Sequence, residues 1–464
     1  MRKVLEWREL LGAPLPPSFA ERLLRGAKGA GFDGWLRGLP AVAGDLSAGE
    51  GLRARLTSAL GAPLPDLAPL TFERTATRDF EERLWRGICS LAEGQFRDKD
   101  NADVVKANQG RKGGARAAEV KRGAAERRDL ERLGDHLHQL YGELIARHGM
   151  TGRAFVADHR FRWQTDFPFT WSEGWQASQG SAMAERNVVV VIPGRNRAEA
   201  VVMADHYDTA YMEDLYDPRR GGDRLRAAAA GADDNHSATT ALLLAADVLL
   251  PLARDGKLSR DVWLVHLTGE EFPSDCLGAR ALAQRLVEKS LVLTAAGGGS
   301  VDVSQTTVRG AFVLDMVAHN NDKRRDVFQI APGEGPGAAK LALRVHAANE
   351  RWNARVAGWN EAAKRKGRSA RVDGPQPPPA AEHRALEGQV RPEWDPKSAL
   401  YNTDGQVFSD VGVPVVLLME NYDISRAGYH DTHDTMKNID LDYGAALVAI
   451  AIEAVADAAV APQL

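Results

Sequence analysis

Met203-Ala-Asp-His206-Tyr-Asp208 closes one apolar run, and after a polar loop Gly231-Ala-Asp233-Asp234-Asn-His-Ser237 leads into the next. An imidazole and several carboxylates therefore stand just past a strand-like stretch. Open α/β sheets build their sites at such exposed strand tips. The same alternation continues on both sides: residues 188–192, 200–204, 261–267, 311–314 and 413–418 read as buried strands, and 239–250, 277–287 and 441–460 as apolar helices. Short apolar runs alternating with helical segments predict an α/β fold, a mostly parallel sheet covered by helices on both faces.

Four of the predicted strands are followed at once by groups able to bind a metal. His206 and Asp208 follow the second, Glu270 and Glu271 the third, Asp315 ends the fourth, and Tyr429-His430 comes after the fifth. Strand tips of one parallel sheet converge on one edge, so these groups become neighbours although they are far apart in the chain. Each has a bland reading when taken alone. Asp233 or Asp234 reads as a helix N-cap, and Glu270-Glu271 as a solvated loop. Asp315 resists such a reading, because a carboxylate ending the run Ala311-Phe-Val-Leu314 is costly to bury without a partner. Two histidines with several carboxylates and no cysteine suit zinc or a similar divalent ion. In a consecutive Glu-Glu pair the side chains point to opposite sides, so one can bind metal while the other serves as general base.

Composition sets outer bounds on the function. The 464 residues carry a formal charge of −4 and 44% hydrophobic side chains. No global basic field favours nucleic acid or an anionic membrane, and neither is expected as a partner. Cys89 and Cys276, the only two cysteines, supply neither a disulfide framework nor a cysteine cage for zinc. Glu6, Arg8 and Glu9 interrupt any signal-like apolar stretch, and no apolar run is expected to reach the roughly 18 residues of a spanning helix. A cytoplasmic location is the expectation that follows.

Residues 1–150 read as a helical N-terminal region of unassigned role, with helical spacing at 79–85 and at Leu130, Leu133, Leu137, Leu140 and Leu144. The Gly-rich basic stretch 106–115 reads as a solvated linker. Residues 151–464 form the second unit. Within it, 340–366 is expected as a long helix, and 372–397, with its run of prolines, as an insertion outside the core and a candidate lid.

The motifs His-x-Asp, Gly-Ala-Asp-Asp-Asn-x-Ser, Gly-Glu-Glu, Asp-Met and Tyr-His-x-x-x-Asp-Thr occur in that order over residues 185–460. This set resembles the co-catalytic dizinc exopeptidases similar to aminopeptidase Y, a family that also holds glutamate carboxypeptidases and glutaminyl cyclases. The resemblance implies two zinc ions. His206 and Asp315 would bind one, Glu271 and His430 the other, and Asp234 would bridge them. It implies further that Glu270 is the base, that Asp208 orients a ligand, and that Tyr429 donates to the oxyanion; His433 is taken as structural. The chain departs from the family at Thr403-Asp404-Gly405, where many members have Ser-Asp-His, and at Phe272-Pro-Ser-Asp-Cys276, where Gly-Leu is usual.

The expected function is that of a zinc-dependent exopeptidase, an aminopeptidase acting on peptide or aminoacyl substrates. Three alternatives stand beside it: a carboxypeptidase, a single-zinc acyltransferase of the glutaminyl-cyclase type, and a non-catalytic binding scaffold on the same fold.

Overall fold

The computed structural model describes residues 68–101, 129–162, 184–363 and 383–461, apart from Pro273, Trp394 and Ile424. The stretch 106–115 and the prolines of 375–379 lie outside the described residues.

Ten strands run in chain order as β1 Phe155–Arg162, β2 Ala184–Ile192, β3 Asn196–His206, β4 Arg260–Leu267, β5 Val292–Ala295, β6 Ser300–Asp302, β7 Thr307–Asp315, β8 Val327–Pro332, β9 Glu387–Val390 and β10 Val415–Glu420. They form one sheet in the order β6-β5-β1-β2-β4-β3-β7-β10-β8-β9. At its centre β4, β3, β7 and β10 are mutually parallel. The flanks turn the sheet mixed: β2 joins β4 antiparallel, β1 joins β2 antiparallel, and β8 joins β10 antiparallel.

The central strands are apolar over 200–204, 262–265, 311–314 and 415–419 because both faces are covered there. Side chains alternate between two cores, as the two-residue period of a strand requires. Val188, Val190, Met203, Leu264, Phe312 and Leu418 face one core, while Val189, Val191, Val202, Val265, Val313 and Leu417 face the other. The first core takes the helices Arg78–Ala92, Asp129–Arg147, His236–Arg254, Gly335–Ala363 and Leu441–Val460, and the second takes Leu277–Val287 and Asp404–Asp410.

Two expectations need correction. The helices His236–Arg254 and Leu441–Val460 are long and apolar enough to cross a membrane, contrary to the reading that no such run exists, but 89% and 94% of their apolar windows are buried inside the protein. Their apolarity serves a core covered on all sides. The second correction concerns the end of the Pro-rich stretch, where residues 387–390 belong to the sheet. There β9 pairs in parallel with β8 and Val390 is fully buried. Gly388 permits that approach, since a Cβ there would lie 2.9 Å from Phe328 and Ile330.

The described N-terminal helices do not stand apart from this sheet. Leu84, Trp85 and Ile88 of one and Leu133, Leu137 and Tyr141 of another share the first core with the helix His236–Arg254.

Candidate metal centre

Four adjacent parallel strands end at the same edge, and each end leads into a candidate group. His206 is the last residue of β3, Asp315 of β7 and Glu420 of β10, while β4 ends at Leu267, three residues before Glu270. The pairing register confirms the alignment: His206 sits opposite Leu267, and Met419 opposite Asp315. Asp234 arrives from the turn that starts the helix His236–Arg254. That turn is tight. Gly231 has φ +70°, and a Cβ on it would fall 2.3 Å from Thr209 Cγ2.

These groups meet in two linked sets. His206 Nε2 lies 3.3 Å from Asp234 Oδ1 and 3.4 Å from Asp315 Oδ1. His430 Nε2 lies 3.2 Å from Asp234 Oδ2 and 3.3 Å from Glu271 Oε2. Asp234 therefore presents one carboxylate oxygen to each set. Glu270 Oε2 stands 3.8 Å from His206 Nε2, beside the first set. Each triad can offer one ligand atom per residue within 4.8 Å of the others.

The electrostatics of the cluster favour a cation. Burial pushes Glu271 up to about 7 and Glu270 well above the carboxylate range, with neighbouring carboxylates adding to the rise and the histidines opposing it. Asp315 is raised by burial as well. Against the downward pull of burial, Glu270, Asp208, Asp234 and Asp315 lift His206 well above its ordinary value, and Glu271, Asp234 and Glu213 do the same for His430. Only Asp234 is held low, because the two histidines that face its oxygens outweigh its burial. His206 Nε2, Glu271 Oε1 and Asp315 Oδ1 are buried and make no well-directed hydrogen bond among the described residues. Orphaned donor atoms converging from His and carboxylate side chains suit a divalent cation.

The remaining expected residues fall into place around this cluster. Asp208 holds the base loop more than it holds a ligand: its two carboxylate oxygens accept from the backbone N–H of Glu270 (3.2 Å) and Glu271 (3.1 Å). Toward His206 it acts chiefly through its backbone carbonyl, 3.2 Å from Nδ1. Tyr429 stacks on His430 with ring centroids 3.9 Å apart and meets Tyr422 edge-on. Burial and the Tyr422 phenol raise the Tyr429 hydroxyl far above its ordinary value, so it remains a protonated donor. His433 is exposed and outside the cluster.

Asp233, next to the bridging position, points away from the two sets. Its Oδ1 accepts from Ala318 N and His319 N, and its Oδ2 pairs with Arg426 at 2.8 Å. Asp434, from the Tyr-His-x-x-x-Asp motif, accepts from the N–H groups of Asp233 and Asp234 and so locks the turn.

Two residues escaped the sequence reading. Glu213 backs His430, its carboxylate 3.4 Å from Nδ1. Asp404 is buried, neither of its carboxylate oxygens has a hydrogen-bond partner among the described residues, and burial with the charges of Asp208 and Asp315 raises it well above the ordinary range. Its position just after the N-cap Thr403 gives it the look of an ordinary first-turn acid. Only a reading of the departure at 403–405 as a retained Asp beside a lost His would have singled it out.

Residues 187–358, which hold four of the five ligand candidates, match the model of Peptidase family M28. That segment is therefore similar to peptidases of family M28. LapB of Legionella pneumophila is similar in fold, with a TM-score of 0.53 at 12% identity, over 94% of this chain and 91% of that one. The LapA aminopeptidase of the same organism is similar as well, with a TM-score of 0.51 at 12% identity, over 86% and 77%. No curated protein matches the chain. The chain thus combines a segment similar to M28 peptidases with a fold shared with the LapA aminopeptidase.

Proposed function

We propose that the protein is a zinc-dependent aminopeptidase with a two-ion centre. The observation that carries this reading is Asp234, whose two oxygens face two separate His and carboxylate sets at 3.2–3.3 Å. His206, Asp315 and Asp234 would hold one ion, and His430, Glu271 and Asp234 would hold the other. Bound there, such ions make a water more acidic and polarise a carbonyl oxygen.

The protein's own groups complete the hydrolysis. Glu270, kept in place by the contact of its backbone N–H with Asp208, takes a proton from the attacking water as the oxygen–carbon bond forms. It then gives that proton to the amide nitrogen as the carbon–nitrogen bond breaks. Tyr429, as a protonated phenol, donates to the oxygen on which charge develops.

The balance of charge around the centre supports binding of a free α-amine. Asp234, Glu270, Glu271, Asp315 and Asp404 surround two histidines, and a cationic amine complements that surplus. The nearby Arg426 is spent on Asp233 and Glu420, which withholds it from a substrate carboxylate. The acids Asp233, Asp208 and Glu420 are equally engaged within the protein, so the amine is met by the cluster itself.

Hydrolysis of leucine arylamides, abolished by chelator and by N-acetylation of the substrate, tests this reading. Cleavage of N-acylated peptides with free C-termini, and of no free-amine substrate, would move the protein to the carboxypeptidase branch.

Metal affinity is expected to depend on pH with a definite sign. Glu271 in the apoprotein is raised to about 7, and His206 and His430 are raised as well, so at acidic pH these groups hold protons that an entering cation must displace. Affinity should therefore rise from pH 6 to pH 8, by at least about tenfold if a single proton is released per ion. Competition titration with a chromophoric chelator measures this, and equal affinity at both pH values would contradict it.

A further inference from the structure

Residues 97–101 precede the M28 segment by far in sequence, yet they run through the middle of the site's supporting loops. Their start is fixed on the helix Asp129–Arg147, where Asp129 Oδ2 accepts from Arg97 N at 2.7 Å and Asp98 N at 3.0 Å. The next three residues, Lys99, Asp100 and Asn101, are all at most 4% exposed. Burying two charges and an amide in succession is unfavourable unless each finds specific partners, and those partners show what the segment joins.

Lys99 Nζ donates to Ala230 O at 2.7 Å and Leu91 O at 2.9 Å, and Lys99 O accepts from Thr209 N at 3.1 Å. Ala230 precedes the Gly231–Asp234 turn, and Thr209 directly follows Asp208. Asp100 pairs with the buried Arg226 at 2.7 Å, and Arg226 in turn donates to Phe272 O, the residue after Glu271. Asn101 Nδ2 donates to Thr268 Oγ1 at 2.9 Å, on the other side of Glu270 and Glu271.

We infer that Lys99-Asp100-Asn101 is a positioning strap for the reaction: one continuous segment sets the spacing of the three loops that carry His206 and Asp208, Asp234, and Glu270 and Glu271. None of the three residues touches a reacting atom; they act through the loops they hold. The inference rests on the peptidase reading only for what the loops do. A misplacement of about 1 Å in such a constellation costs on the order of 10²-fold in rate. Ordinary stabilising contacts would not have that consequence.

Asn101→Ala in the full-length, metal-loaded protein tests the strap. The expected result is a fall in kcat of at least about tenfold with KM within about twofold of wild type, together with faster amide exchange confined to 268–272. Asp100→Asn, nearly isosteric, is expected to act in the same direction and carries the test should Asn101→Ala not fold. Unchanged kcat and unchanged local exchange, with only a lower Tm, would overturn the strap and leave a purely structural segment. The exchange readout is independent of catalysis, so a wild-type protein inactive on every peptide substrate would sink the peptidase reading while still deciding whether 99–101 orders these loops.

Discussion

Glu270→Gln should leave metal content near wild type and lower turnover by about 10² to 10⁴-fold, the range for a lost general base. The substitution keeps the side chain's size and its backbone bond to Asp208 Oδ1. It removes only the ability to accept and return a proton. Glu270 is suited to that task because burial and the adjacent carboxylates raise it well above an ordinary glutamate. Its oxygen lies 3.8 Å from His206 Nε2, beside the ligand set. Steady-state kinetics with metal analysis on the same preparation checks the prediction, and full activity in Glu270→Gln would end this assignment.

Asp234→Asn should weaken both ions together. The native carboxylate offers one oxygen to the His206 set and the other to the His430 set, and its charge is held ionised by the two histidines. An amide presents one oxygen and one N–H group, so one set loses its acceptor and both lose negative charge. Affinity for each ion should fall by at least about tenfold, the effect of roughly 1.4 kcal/mol. His430→Ala is the useful contrast, because it should weaken one ion and largely spare the other. Titration of the apoprotein with zinc against a competing chelator measures both. Loss of a single ion in Asp234→Asn would mean that the carboxylate serves only one side.

The strands that build the site could be read from the sequence because β3, β4, β7 and β10 are covered on both faces over their central four or five residues, which are apolar. The functional groups could be read because they follow those runs directly. The flanks of the sheet gave weaker signals. In β1, Asp158 and His159 interrupt the pattern, and their burial depends on partners elsewhere: His138 pairs with Asp158 at 2.6 Å, and Asn187 meets His159. In β9 the stretch Glu387-Gly-Gln-Val390 has little strand character of its own and is drawn into the sheet by β8.

Charged residues held by distant partners are the hardest to read. Lys99-Asp100-Asn101 looks like a solvated turn, since its partners Ala230 and Thr268 are 131 and 167 positions away. Asp404 looks like a helix-start acid until its orphaned oxygens are seen. Asp233 and Glu420, acids next to the cluster, clasp Arg426. A sequence shows which residues can carry charge, but which of those charges neutralise one another is decided by tertiary contact.

Anomalous X-ray scattering at the zinc edge, from crystals of the zinc-loaded protein, tests the two-ion centre most directly. Two peaks about 3.5 to 4 Å apart, one on each side of Asp234, with His206 and Asp315 at the first and His430 and Glu271 at the second, are the predicted result. A single peak, or two peaks that do not share Asp234, would contradict it.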